Sequence, residues 1–247
     1  MAFFKTILIF IPVVGAVIVL VPIGVLVFVL GCLGLRKPVS WVMYRIAQGW
    51  ARLMIRLSGC TVTVTGREHI PPRGGLCVVS NHGSIYDILL ALAYIGRPFG
   101  FIAKRELAYI PLLNMWIYVL GGLFIDRKNI RNAVKTIGRG VDRIKAGGAM
   151  IIFPEGHRSR GQGLLPFHPG SLKLATQAGS PIVPMALSGS YEVFEKAYRL
   201  HPGPVKVSFA PPILTAELPP SDRKQVLADR IRDIIAGLLN EQKGPGA

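Results

Sequence analysis

From Gly59 onward, short β-rich runs alternate with stretches of helical periodicity, and this alternation narrows the fold more than any other feature of the chain. Thr61 to Thr65 alternates in strand fashion, Pro71-Pro72 with Gly74-Gly75 makes a turn, and Leu76 to Ser80 is a second β-rich run. Ile88 to Ile95 is apolar and helical, and Gly122 to Ile125 reads as a strand. Ile130, Val134, Ile137, Val141 and Ile144 recur at helical spacing and stop at Gly147-Gly148. Ala149 to Phe153 is a buried strand, Leu172 to Ala178 a helix, Ile182 to Leu187 and Val205 to Phe209 strands, and Asp222 to Leu239 a closing amphipathic helix. The tail Gly244 to Ala247 is expected to fray. The pattern predicts an α/β fold, a mostly parallel sheet flanked by helices on both faces.

Upstream the chain is of another kind. The thirty residues from Thr6 to Leu35 carry no charge, with Lys5 before them and Arg36 and Lys37 after. This run is longer than a signal-peptide core and no small-residue cleavage site follows it, so it reads as a retained hydrophobic helical membrane anchor. As one helix it would be roughly 45 Å long against a hydrocarbon core of ~30 Å. Pro12 and Pro22, with Gly15, Gly24, Gly31 and Gly34, argue against an unbroken helix. Broken at Pro22, the pieces would be about 20–30 Å long, and the shorter would not cross. The flanking charges do not orient a span, so a tilted span and a two-helix hairpin in one leaflet both stay open, with the hairpin favoured. Val39 to Leu57 reads as a helix with Arg45, Arg52 and Arg56 near one face and Trp41 and Trp50 as interface anchors. It is either a core helix with a solvated arginine stripe or a helix resting on lipid headgroups. We expect residues 1–58 to form membrane-associated helices and residues 59–247 the α/β domain.

The 29 lysines and arginines outnumber 13 carboxylates, a net charge of +16, which suits nucleic acid, an anionic membrane or an anionic substrate. No nucleic-acid motif and no aromatic-basic platform is present, so the expected partner is membrane lipid and not nucleic acid. Cys32, Cys60 and Cys77 form no CxxC pair and sit in apolar or strand-like surroundings, which suits a reducing compartment and neither a disulfide framework nor a zinc site.

In a parallel sheet, ligands bind beyond the carboxyl ends of the strands. Four predicted strands run directly into polar residues there: Asn81-His82, Asp126-Arg127, Pro154-Glu155-Gly156 and Ser188-Gly189. His82 and Asp87 are five residues apart, about 140° around a continuous helix, and meet only if the backbone turns between them. Gly83 is expected to permit that turn, placing His82 in the loop and Asp87 in the first helical turn, where its carboxylate reaches Nδ1 and leaves Nε2 free as a base. The competing reading is that Ser84 and Asp87, at capping-box spacing, only satisfy helix N–H groups. No G-x-S-x-G elbow and no reactive cysteine context accompanies the pair, which suits chemistry in which the substrate brings the hydroxyl. Arg127, at the end of its strand, either holds a phosphate or pairs with Asp126. In Phe153-Pro154-Glu155-Gly156-His157-Arg158-Ser159, Gly156 lets the backbone approach a ligand while Arg158 and Ser159 offer hydrogen bonds. Lys104 is a candidate phosphate contact or a surface lysine. His157 and His168 have a poor set of neighbours for a metal, and none is expected.

Together N-H-x4-D at Asn81–Asp87, G-x-x-F-I-D-R at Gly121–Arg127, F-P-E-G-x-R-S at Phe153–Ser159 and Val183-Pro184-Met185-Ala186 resemble the four ordered blocks of the glycerophospholipid acyltransferase family, closest to its bacterial members that acylate lysophosphatidic acid. The resemblance covers roughly Gly59 to Ser190. It implies a 1-acylglycerol-3-phosphate O-acyltransferase with His82 as general base and Asp87 as its orienting partner. It further implies Lys104, Arg127, Glu155, Gly156, Arg158 and Ser159 on the acceptor side and Pro184 on the donor side. His157 stands at the variable position where these acyltransferases commonly have threonine. The expected reaction moves a fatty acyl group from acyl-CoA or acyl-carrier protein, as co-substrate and with no cofactor, to the sn-2 hydroxyl of lysophosphatidic acid. The tetrahedral oxyanion would be met by backbone N–H groups at the helix start after Gly83. The expected place is the cell membrane, with the active site on the cytoplasmic face. Rival readings are the same chemistry on glycerol 3-phosphate or another lysolipid, a thioesterase, and a non-catalytic protein that binds anionic lipid.

Overall fold

The computed structural model describes residues 15, 21–32, 36–111, 113–126 and 128–243. Two helices come first, α1 (Val21–Cys32) and α2 (Arg36–Leu57), followed by β1 (Thr61–Thr65), β2 (Leu76–Ser80), α3 (Tyr86–Tyr94), β3 (Phe99–Lys104), α4 (Leu113–Val119) and β4 (Leu123–Ile125). The second half contributes α5 (Ile130–Lys145), β5 (Ala149–Ile152), α6 (Lys173–Ala178), β6 (Pro181–Ser188), β7 (Pro204–Phe209), β8 (Ile213–Leu214) and α7 (Gln225–Lys243). The eight strands form one sheet in the order β1-β7-β6-β2-β5-β3-β4, with β8 beside β6. Pairing is parallel throughout except where β7 and β8 run antiparallel to β6. The mostly parallel α/β sheet read from the sequence is therefore present.

Strand β2 lies at the centre and is buried along its whole length. Its alternate side chains feed two cores: Leu76 and Val78 face α2 and α3, while Cys77 and Val79 face α5, α6 and α7. Because β2 to β6 all point the same way, their carboxyl ends converge at one edge, and the loops carrying His82, Asp126, Glu155 and Gly189 leave from it.

Several elements differ from the sequence reading. β3 and α4 were not expected. β3 contains Gly100, where a Cβ would lie 2.2 Å from the Gly121 carbonyl oxygen, so this strand position excludes the β-branched residues that signal strands. Of the apolar stripe on α5, Val141 and Ile144 are buried, but Ile130 and Val134 are 79% and 64% exposed. A helix of 16 residues is roughly 24 Å long and overhangs a four-residue strand of about 13 Å, so its first turns leave the core.

Most of the uncharged N-terminal run lies outside the described residues, as does the tail Gly244 to Ala247, so the hairpin and the span are not distinguished. Within the run, the described part of α1 is Val21–Cys32. It packs on α4 at Gly24, whose absent Cβ would lie 2.6 Å from Met115 Cε. Among the described residues no helix is long and apolar enough to cross a membrane. On α2, Met43, Tyr44, Ala51, Met54 and Ile55 are buried. Arg52 turns inward to donate to the Ala93 carbonyl, and Arg45 lies 5.5 Å from the exposed Trp41 ring.

Candidate active site

The chain leaves β2 at Ser80 and turns through Asn81 to Ile85 into α3. Asn81 closes the sheet where the β2–β6 ladder ends: its side-chain amide donates to the Leu187 carbonyl (2.9 Å) and its oxygen accepts the Leu187 N–H (2.8 Å). The turn brings His82 Nδ1 to 2.9 Å from Asp87 Oδ2. The same oxygen accepts the N–H groups of Gly83 (2.8 Å) and Ser84 (2.9 Å). The imidazole contact and the helix-start contacts expected of Asp87 are thus both made, by one atom. An oxygen already accepting two backbone bonds is an acceptor for the third, so Nδ1 carries the proton and Nε2 is the bare nitrogen. Asp87 is fully buried, and Phe153 stacks on the imidazole at 4.1 Å and 21° between planes, which fixes the ring's tilt.

Two expectations about this turn are corrected. Gly83 does not have a positive φ, and a Cβ there would meet nothing closer than Ser190 Oγ at 3.7 Å, so the bend does not depend on glycine. The N–H groups at the helix start do not form a free oxyanion site either. Gly83 and Ser84 donate to Asp87, Ile85 donates to Glu195 Oε2 (3.1 Å), and Tyr86 donates to Ser84 Oγ (3.2 Å).

The loop after β5 backs onto His82. Glu155, 1% exposed, accepts the His82 N–H at 2.7 Å and the Leu165 N–H at 3.3 Å, and the Ser159 N–H donates to the His82 carbonyl at 2.7 Å. Burial pushes the Glu155 carboxyl up to about 7, further than its two N–H donors pull it down. Gly156 turns the loop with φ 76°, a conformation that suits glycine. His157 is exposed.

The remaining predicted residues are spread more widely. Arg158 Nη1 lies 2.7 Å from Glu195 Oε1, so this guanidinium is tied to a carboxylate within the protein. Lys104 closes β3 at the same edge of the sheet, exposed and 3.1 Å from Glu106 Oε1. Arg127 lies outside the described residues, and its neighbour Asp126 pairs with Arg105. Pro184 is buried inside β6, opposite Val79 and four residues short of the strand's end. Glu195 itself was missed by sequence reasoning, because it lies past the last block and no local pattern marks it. Phe153 opens the third block, and its stacking on His82 has no sequence signal.

Burial drives the Cys77 thiol up to about 12, so it does not supply a thiolate. Among the described residues no serine, threonine or cysteine side chain bonds the His82 ring. An oriented imidazole at the strand ends of an α/β sheet suits a class of transferases in which the substrate brings the alcohol.

Comparison with known proteins narrows the class. Residues 61–188 match the Acyltransferase family. The 1-acyl-sn-glycerol-3-phosphate acyltransferase of Borreliella burgdorferi is 29% identical over 204 residues, which span 83% of this chain and 80% of that protein. The human 1-acyl-sn-glycerol-3-phosphate acyltransferase alpha is 35% identical over 188 residues, 75% of this chain and 66% of that protein. The crystal structure of PlsC, the 1-acyl-sn-glycerophosphate (LPA) acyltransferase of Thermotoga maritima, superposes with a TM-score of 0.82 and 26% identity, covering 100% of this chain and 98% of that one. The chain belongs to the acyltransferase family.

Proposed function

We propose that the protein transfers a fatty acyl group from a thioester, acyl-CoA or acyl-carrier protein, to the sn-2 hydroxyl of lysophosphatidic acid, giving phosphatidic acid for phospholipid synthesis. The observation that carries this is the His82–Asp87 pair, with its bare Nε2 at the strand ends and, among the described residues, no protein nucleophile bonded to it. The names of the relatives support the choice of acceptor.

In this mechanism His82 Nε2 takes the proton of the acceptor hydroxyl as its oxygen attacks the thioester carbonyl. Asp87 stabilises the imidazolium that forms. The tetrahedral intermediate collapses, the carbon–sulfur bond breaks, and the thiolate leaves with the proton returned by His82. No acyl-enzyme forms. Arg158, Lys104 and Arg127 supply positive charge for the acceptor phosphate, with Gly156 and Ser159 shaping the loop beside it and Pro184 lying toward the donor side. Residues 1–58 act as a membrane-associated anchor for the α/β domain of residues 59–247. The anchor keeps the site at the cytoplasmic face of the cell membrane, where both lipid substrates lie.

The test is acceptor-dependent release of free thiol by purified protein, with a panel of lysolipids and glycerol 3-phosphate, and with donor varied separately. Lysophosphatidic acid should give the highest kcat/KM, and His82→Ala should lower turnover by about 10³-fold or more while circular dichroism stays unchanged. Thiol release at equal rate without acceptor would replace transfer by hydrolysis, and wild-type turnover in His82→Ala would remove the mechanism.

A further inference from the structure

Beyond the family match at residues 61–188, β6 ends at Ser188 and Gly189 follows, whose φ of 81° and open α-carbon let the chain pass the start of β7. A Cβ there would lie 2.2 Å from the Pro204 carbonyl oxygen. One turn of π-helix follows, Tyr191–Glu195, a distortion that recurs at functional sites. It ends in a carboxylate only 3% exposed. A buried carboxylate is tolerated only when its charge is met, and Glu195 is met from two sides. Its Oε2 accepts from Ser84 Oγ (3.3 Å) and the Ile85 N–H (3.1 Å), in the loop that carries His82 and Asp87. Its Oε1 makes no hydrogen bond of normal geometry but lies 2.7 Å from Arg158 Nη1 and 3.5 Å from Arg160 Nε, so this side is held by charge. Arg160 has φ 50°, an uncommon conformation for a residue with a side chain, and its pairing with Glu195 helps hold it there.

We propose that Glu195 is a positioning residue for the acceptor. It ties Arg158 to the loop of the catalytic base and so sets the distance between the nitrogen that takes the proton and the cation that holds the phosphate. The inference rests on Arg158 being an acceptor-phosphate contact. Two charges facing one leave a net positive charge at the cleft, and Arg158 keeps Nε–H and Nη2 donors beyond the Nη1 bound to Glu195. A guanidinium fixed in advance loses less freedom on binding phosphate than a mobile one. The spacing it fixes selects acceptors in which phosphate and free hydroxyl sit on neighbouring carbons of one glycerol.

Glu195→Gln separates this role from a merely structural one. A glutamine oxygen at the Oε2 position keeps the bonds from Ser84 and Ile85, while its amide nitrogen faces Arg158 and releases it. The KM for lysophosphatidic acid should rise about tenfold or more, with kcat and the donor KM within about threefold of wild type. Glu195→Asp, which keeps the charge, should restore much of the loss. In an Arg158→Ala background Glu195→Gln should add nothing. Phenylglyoxal labelling of Arg158, mapped by mass spectrometry, should be faster in Glu195→Gln than in wild type. This last readout needs no substrate and holds even where lysophosphatidic acid is not the acceptor. A fall in kcat at constant acceptor KM, equal defects in the Gln and Asp variants, a full effect in the Arg158→Ala background, or unchanged labelling of Arg158 would each overturn the proposal.

Discussion

The two side-chain pairs of this site are built in opposite ways. His82 and Asp87 are five residues apart, and a single turn between a strand and a helix brings them together. Arg158 and Glu195 are 37 residues apart and meet only because β6 carries the chain across the sheet between them. The local pair is fixed by its own backbone: Asp87 Oδ2 binds two N–H groups of the turn as well as the imidazole. The distant pair depends on the whole sheet. The pair proposed for the chemistry is therefore written within one turn, while the cation proposed for the acceptor is held from afar.

Substitutions at Asp87 sharpen that contrast most. Asp87→Asn keeps an oxygen for the N–H groups but removes the charge that stabilises the imidazolium, and kcat should fall about 10²–10⁴-fold with melting temperature nearly unchanged. Asp87→Ala should add a stability loss of about 1–2 kcal/mol, read by urea denaturation, because the helix-start donors lose their acceptor. Equal stability in the two variants would show that the cap and the base are not one structure.

Glycines at the two loops come next. Gly161→Ala should destabilise by about 1–3 kcal/mol, since its φ is 84° and a Cβ would lie 2.6 Å from Tyr191 Cε1, in the contact that seats the distant pair. Gly83→Ala, in the local turn, should change stability by less than about 0.5 kcal/mol, its Cβ meeting nothing closer than 3.7 Å. Reversed magnitudes in thermal denaturation would break the comparison.

A smaller effect is expected with pH. Glu155 has a folded-state pKa near 7, above its ordinary value of 4.5, so the fold binds its proton more tightly than the unfolded chain does. That contribution is fully present below pH 4.5 and is lost as pH rises through 7. Glu155→Gln should flatten the decline of stability across this window, and an unchanged slope would place the titration elsewhere.

What was legible in the sequence follows the same division. β2, the turn after it and the site of Asp87 were readable because strand pattern, loop and helix start are local signals. Periodicity on α5 was read correctly as helix, but its exposed first turns were not, since overhang depends on the length of a strand elsewhere. β3 was hidden by Gly100, which is explained only by the Gly121 carbonyl opposite it. The free oxyanion donors expected after Gly83 failed because Glu195, far along the chain, already takes the Ile85 N–H. Glu195 had no sequence signal at all.

The central claim is that Asp87 holds the neutral His82 ring with its proton on Nδ1 and leaves Nε2 to act as base. Nitrogen-15 NMR of ring-labelled protein reads this directly, with His82→Ala assigning the signal. The account predicts a protonated Nδ1 and an unprotonated Nε2 in the neutral ring, shifting toward a mixture in Asp87→Asn. A neutral His82 protonated on Nε2 in the wild-type protein would contradict it.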